Sequence, residues 1–229
     1  MTCDKPTFGL LSTAGVLAGE KADPAILLLS HPCVTARSVE DVALVLQALT
    51  NAPGGDATSG RHVLQGPLSV RRVGIVTNFA GGYEVKAAFE TFIASIATME
   101  IETRQIKAPF DGTSFDVSSV ERDRAAINAS LFGDIDAIVL PTRTAPAPTV
   151  DDARARGHMA VSADNTFFCN YYGLPAISVP SGDKNGLPLG VQFVGPQGGD
   201  THVLALAHAY QRATGWRYLP PPGAQVRLD

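Results

Sequence analysis

Few side chains in this chain are of a type and spacing that could do covalent chemistry. Cys33 stands two residues from His31, and a thiol beside an imidazole is a nucleophile with its base. Pro32 between them favours extended backbone at His31, so a catalytic Cys33–His31 pair is not expected. Cys169 lies in the run Phe167-Phe168-Cys169-Asn170-Tyr171-Tyr172, where a small thiol suits a gap in an aromatic cluster. Ser178 sits mid-strand between apolar neighbours and reads as a structural hydroxyl. Ser12, Ser30, Thr142 and Ser181 are loop hydroxyls with no identifiable base. His62, His158 and His202 have polar flanks and read as surface residues, and His208 reads as a structural histidine of the last helix. The odd set Cys3, Cys33 and Cys169 has no CxxC spacing, so neither a disulfide framework nor a zinc site is expected. These thiols are expected to be reduced and mostly buried. Asp151-Asp152 has no histidine at ligand spacing, and Gly81-Gly82 lacks the Lys-Ser/Thr of a nucleotide loop. No metal and no cofactor is expected.

The elements that would position these residues follow from periodicity. Residues 1–36, broken by Gly9, Gly15, Gly19, Pro24 and Pro32, read as loop. Ser38 and Asp41 resemble a capping box, and Val39, Val42, Leu44, Val45, Leu46 and Leu49 give the following helix an apolar face. The run at 51–56 ends that helix in a loop. Residues 70–76 predict a strand, 84–99 a helix and 101–106 a second strand, an order that favours a parallel pair. The segment 115–132 is charged, amphipathic and helical. The continuous apolar run at 136–141 suits a strand in the middle of a covered sheet. A Pro-rich extended loop follows to Val150. Residues 174–180 form a strand bounded by Pro175 and Pro180, which pairs as a hairpin with 189–194 across a turn at Gly186. A last helix begins near Asp200, with Asp200 or Thr201 as its cap, and Pro220-Pro221-Pro222 marks a tail.

The 229 residues suffice for one sizeable core and show no domain boundary, so 1–229 reads as a single α/β unit. The hydrophobic fraction of 45% and the charged fraction of 17% are ordinary for a globular chain. A net charge of −4 with no basic run argues against nucleic-acid and anionic-membrane partners. The longest apolar run, 25–29, is too short to cross a membrane, and no signal peptide is visible at the start. A cytoplasmic location is the default expectation.

Four ordered segments carry a resemblance. They are Lys5-Pro6-Thr7-Phe8-Gly9-Leu10-Leu11-Ser12, Ala36-Arg37-Ser38-Val39-Glu40-Asp41-Val42-Ala43, residues 136–142 ending in Pro141-Thr142, and Gly173-Leu174-Pro175-Ala176-Ile177-Ser178-Val179-Pro180. The last continues into Gly186-Leu187-Pro188-Leu189-Gly190-Val191-Gln192-Phe193-Val194-Gly195 and then His208-Ala209-Tyr210. In this order they resemble the C-terminal half of the amidase signature family. The resemblance implies a partial amidase-signature fold: α/β, with a mixed, largely parallel sheet covered by helices on both faces.

The departures from the family pattern are informative. The family keeps its nucleophilic serine, bridging serine and lysine upstream of the Lys-Pro-Thr segment, and here only Met1 to Asp4 precede Lys5. By the resemblance the Ser–Ser–Lys triad is expected to be absent, no residue is assigned as catalytic, and Lys5 matches a non-catalytic position. Ser30-His31-Pro32-Cys33-Val34-Thr35 replaces the family's usual Asp and Gly-Pro, and the connection between Pro109 and Gly133 is short. The chain thus resembles a family member truncated at the front and shortened in the middle.

The resemblance implies a cofactor-free hydrolase of carboxamides, carbamates or esters. This chain would supply scaffold and one pocket wall, with Thr142, Phe168, Cys169 and Asn170 as the pocket residues. A second chain or another copy would cover the exposed sheet. The alternative is a non-catalytic amidase remnant with a binding or assembly role, and a third reading recruits Cys33 or Cys169 as a nucleophile.

Overall fold

The structure, a computed structural model, describes residues 1–13, 23–50, 64, 68–109 and 115–216. The expected loop at 51–56, His62, the His158 side chain and the tail at 220–222 lie outside the described residues.

Seven strands form one sheet. In chain order the elements are β1 (Thr2–Lys5), α1 (Pro24–Leu29), β2 (Val34–Ala36), α2 (Val39–Thr50), β3 (Arg72–Val76), α3 (Tyr83–Ile96), β4 (Glu102–Ile106), α4 (Val120–Phe132), β5 (Ala137–Pro141), α5 (Val150–Arg156), α6 (Phe167–Tyr171), β6 (Ala176–Lys184), β7 (Leu187–Val194) and α7 (Asp200–Ala213). The sheet order is β2-β1-β6-β7-β5-β3-β4. The β3–α3–β4 unit gives the expected parallel pair, and β5 joins the other side of β3, also parallel. The remaining four pairings are antiparallel, so the sheet is mixed and its parallel part is confined to one side. At the β6–β7 hairpin the reason is local: the short turn at Asn185 and Gly186, both with positive φ, can only return the chain antiparallel.

The central strand shows how sequence becomes layers. All five residues of β5 are buried. Ala137 and Val139 point into one core with Val42, Phe92, Phe193, Val203 and Leu206, so α2, α3 and α7 cover that face. Ile138 and Leu140 point into the other with Ile127, Phe168, Cys169 and Leu174, so α4 and α6 cover part of the second face. A strand covered on both faces has no polar side to show, hence its unbroken apolar run.

The expected capping box at α2 is present. Asp41 N–H donates to Ser38 Oγ at 3.1 Å, and Ser38 N–H donates to Asp41 Oδ2 at 3.2 Å. Other expectations are corrected. Residues 1–36 are not simply loop but hold β1, α1 and β2, because β1 pairs with β6, remote in the chain, on one side and with β2 on the other. Strand β6 does not stop at Pro180 but continues to Lys184 through a register shift between Pro180 and Gly182. Neither Asp200 nor Thr201 caps α7, whose N-cap is Gly199. The Asp200 carboxylate instead accepts the Thr7 N–H at 2.8 Å and its hydroxyl at 2.5 Å. The cysteines are not mostly buried: Cys169 is buried, Cys3 is intermediate and Cys33 is exposed.

Candidate functional site

Among the described residues, the second face of the sheet is left uncovered over β2, β1 and parts of β6 and β7, and there its side chains turn polar. The register fixes which residues share a row. Cys3 lies opposite Thr35 on one side and Ser178 on the other, and Ser178 lies opposite Gln192. Thr35, Cys3, Ser178 and Gln192 therefore form one line of polar side chains across four strands. Alternation sends their neighbours Thr2, Asp4, Ile177 and Val191 to the opposite, buried face. A cavity of about 560 Å³ lies over this polar row. Thr142, Arg143, Cys169, Asn170 and Gly190 complete much of its wall. A smaller cavity of about 290 Å³ adjoins it under the Pro-rich loop and shares Arg143 and Gly190.

Three contacts set the chemistry. The Thr142 and Ser178 hydroxyls are hydrogen-bonded to each other at 2.8 Å. Gly190 makes room for them, since a Cβ there would lie 3.3 Å from Ser178 Oγ and 3.4 Å from Thr142 Oγ1. Gln192 donates through Nε2 to the Asn165 carbonyl at 2.5 Å, and Asn165 holds both backbone groups of Ala80 through its side chain. Lys5 and Arg143 are the cations of the wall, and no Asp or Glu lines it among the described residues. Burial lowers the Lys5 amine from its ordinary value.

Lys5 is committed to scaffolding. Its ammonium donates to the carbonyls of Cys169, at 3.2 Å, and Leu174. The Cys169 carbonyl belongs to the end of α6, which closes as a Schellman turn, and Leu174 is the residue on which that turn ends. Leu174 N–H reaches Cys169 O at 2.9 Å, Gly173 N–H reaches Asn170 O at 3.3 Å, and Gly173 takes the left-handed φ of 67° that the turn demands. A cation at the carbonyl end of a helix is also favourable to the helix dipole.

Thr142, Cys169 and Asn170 line the cavity, whereas the Phe168 side chain is buried in the second core with Ile127 and Leu140. Cys169 is buried in that same core and reaches the cavity wall from it, while Phe168 lies wholly behind it. His31 is not positioned as a base for Cys33. Its Nδ1–H donates to the Leu29 carbonyl at 3.0 Å, and burial, with the Lys5 cation, lowers the imidazole to about 4. His208 is held by Glu40 at 3.1 Å. Burial pushes the Cys169 thiol up to about 12.

Cys3 is not visible as a functional candidate in the sequence. The neighbouring Cys33 thiol, together with the hydrogen bond that Thr35 Oγ1 donates to the Cys3 sulfur at 3.4 Å, brings the Cys3 thiol down to about 6 against the opposing effect of burial. The only sequence signal for this is the alternation that gives Cys3 and Lys5 the same side of a strand, and nothing local says that 2–5 is a strand.

Comparison with known proteins gives this geometry its relatives. The family model described as Amidase matches residues 116–204. Residues 116–204 thus match the amidase family model, within a chain of amidase-signature fold. The glutamyl-tRNA(Gln) amidotransferase of Thermus thermophilus has one polypeptide that is 25% identical over 296 aligned positions, covering 95% of this chain and 61% of the relative. Its counterpart in the same enzyme of Pseudomonas entomophila is 37% identical over 94 residues, 40% of this chain and 19% of the relative. Among solved structures, 6-aminohexanoate cyclic dimer hydrolase superposes with a TM-score of 0.73 at 19% identity, covering 94% of this chain and 60% of the other. The peptide amidase of Stenotrophomonas maltophilia gives 0.72 at 18% identity, covering 97% and 60%. The chain thus spans about three-fifths of the length of these amidase relatives. The 296 aligned positions in the Thermus comparison exceed the chain's 229 residues, so that relative carries segments inside the matched span that this chain lacks. Among the described residues, no helix is long and apolar enough to cross a membrane.

Proposed function

We propose that this chain forms the substrate-holding wall of an amide hydrolase acting on a small carboxamide or ester. The observation that carries the reading is the polar row over the 560 Å³ cavity, with Lys5 and Arg143 in its wall and no carboxylate among the described residues. Acyl transfer develops negative charge on the carbonyl oxygen, and such a wall favours that charge while it would oppose a cationic transition state. Thr142, Cys169 and Asn170 are the wall residues proposed to touch the substrate, with Phe168 backing them from the core. The Thr142 and Ser178 hydroxyls satisfy one another and Lys5 is held by carbonyls, so this trio is not the proposed nucleophilic relay. That relay belongs to residues outside the described ones or to another chain. If ligand binds without turnover even when candidate partner chains are supplied, the chain has the binding or assembly role of the second reading.

Gly190→Val tests the assignment, because its side chain would fill the space beside Ser178 and Thr142. With benzamide as the probe in ligand-detected NMR, the variant is expected to bind more than about 10-fold more weakly, a loss above ~1.4 kcal/mol. Equal binding by both chains would sink the reading. A second chain or a second copy is further proposed to cover apolar surface left exposed at Ile26 and Leu27 of α1 and at Leu44, Val45 and Leu49 on the outer side of α2. Sedimentation and hydrophobic-dye binding check this. A monodisperse monomer that binds no dye would remove the need for a partner.

A further inference from the structure

The β1–β2 pairing brings two thiols together. Cys3 faces Thr35 across the ladder, and Cys33 lies two residues before Thr35, on the same side of the sheet. The two thiols are close enough to shift one another's titration in opposite directions, and the Cys33 S–H donates to the His31 carbonyl at 3.7 Å. Thr35 Oγ1 donates to the Cys3 sulfur from the other side at 3.4 Å, and Arg143 lines the same cavity. These three neighbours of Cys3 all favour a thiolate, and its value falls to about 6. Its coupling to Cys3 and its own burial move the Cys33 thiol in the opposite direction, upward. Cys33 is exposed, and it precedes the first paired residue of β2, so no ladder bond restrains its backbone. Cys169, in the same cavity wall, is buried and stays protonated up to about 12. An accessible thiolate beside a second thiol is the arrangement of a peroxide-reactive cysteine with its resolving partner.

We propose that Cys3 and Cys33 form a peroxide-reactive dithiol at the mouth of the cavity, with Cys3 attacking and Cys33 resolving. The Cys3 thiolate attacks one oxygen of a hydroperoxide. The S–O bond forms, the O–O bond breaks, and the departing alkoxide or hydroxide takes a proton and leaves as alcohol or water. Sulfur is oxidised by two electrons and the peroxide is reduced by two. The Cys33 sulfur then attacks the sulfenic sulfur. The S–S bond forms, the S–O bond breaks, and hydroxide leaves with the Cys33 proton as water. The product staples β2 to β1 and removes the thiolate from the polar row. This assignment does not depend on the cavity's being a hydrolase site.

The test is oxidation of the purified chain with equimolar hydrogen peroxide at neutral pH, followed by intact-mass analysis and peptide mapping. The expected result is loss of two hydrogens, one peptide pair linked through Cys3 and Cys33, reversal by dithiothreitol, and Cys169 still alkylatable after unfolding. In Cys33→Ser the reaction is expected to stop at a sulfenic acid on Cys3 that dimedone traps. In Cys3→Ser no sulfenic acid is expected at Cys33. Iodoacetamide labelling of Cys3 in the native chain is expected to rise with pH through a midpoint near 6. Oxidation that starts at Cys33 or Cys169, links formed only between chains, or a Cys3 labelling midpoint in the ordinary thiol range of about 8.5 would each overturn the proposal.

Discussion

Arg124→Ala is expected to lower the stability of the chain by about 3–5 kcal/mol, a loss set by the buried groups it would leave unpaired. Arg124 is buried on α4 and holds three segments at once. Its Nε donates to the Tyr171 carbonyl at 2.7 Å, and its Nη2 donates to the carbonyls of Asn170 at 2.9 Å and Leu28 at 2.7 Å. Its guanidinium lies 4.0 Å above the Phe8 ring. Alanine would strand the last carbonyls of α6 away from water and leave a void between α1, α6 and Phe8. Arg124→Lys should recover only part of the loss, since one ammonium cannot hold three carbonyls in the plane of a guanidinium. Urea titration followed by tryptophan fluorescence and circular dichroism measures both variants. A loss below about 1 kcal/mol for Arg124→Ala would show that α6 is held by Lys5 and the Schellman turn alone.

Asp4→Asn is expected to act in the opposite direction and stabilise the chain at neutral pH by on the order of 1–3 kcal/mol, because an amide of the same shape cannot ionise and escapes the cost of a carboxyl raised by burial. Asp4 is buried on the face of β1 away from the cavity, and its Oδ2 has no hydrogen-bond partner among the described residues. Burial raises its carboxyl well above the usual carboxylate range, and the nearby Asp200 adds to the effect. The sign follows from proton counting. Between the ordinary aspartate value and the raised folded one, the native state binds more protons than the unfolded state. Stability therefore falls as pH rises through that window, and the deficit persists above it. Asp200 is raised by burial too, so it slopes the same way. The wild type should be most stable on the acid side of neutrality, and Asp4→Asn should flatten the fall. Thermal melts from pH 4 to 8 decide the matter: a variant with the wild-type slope would mean that Asp4 does not carry it.

What the sequence discloses and what it hides divide along a physical line. The β5 run, the β6–β7 hairpin around Gly186, the β3–α3–β4 unit and the Ser38–Asp41 box are local, each decided within a few turns of chain. Strands β1 and β2, of four and three residues, carry too little pattern to announce themselves and exist because distant strands recruit them. The same limit hides the site. Ser178 reads as a structural hydroxyl because its neighbours Ile177 and Val179 are apolar, but those neighbours face the other side of the sheet. Asp200 looks like a helix cap by position, yet Thr7, remote in sequence, claims its carboxylate. Thr142, Cys169 and Asn170 are named through family resemblance alone, and no spacing in the chain ties them together.

The pairing of β1 with β6 also constrains when this molecule can become itself. Cys3 meets Ser178 across the ladder, Thr7 is tied to Asp200, and Gln211 Nε2 donates to Thr2 Oγ1 at 3.1 Å while its Oε1 accepts from Val39. A strand made early thus has one partner, β2, nearby and its other partners in residues made far later. During synthesis it must wait until β6 and α7 leave the ribosome before its second edge is paired and its side chains are tied down, whereas β3, α3 and β4 can dock as soon as they emerge. The polar row is therefore the last part of the sheet to assemble. In the finished protein, opening of the edge that carries Cys3 and Thr35 should be the first breach through which proteases or exchanging solvent enter.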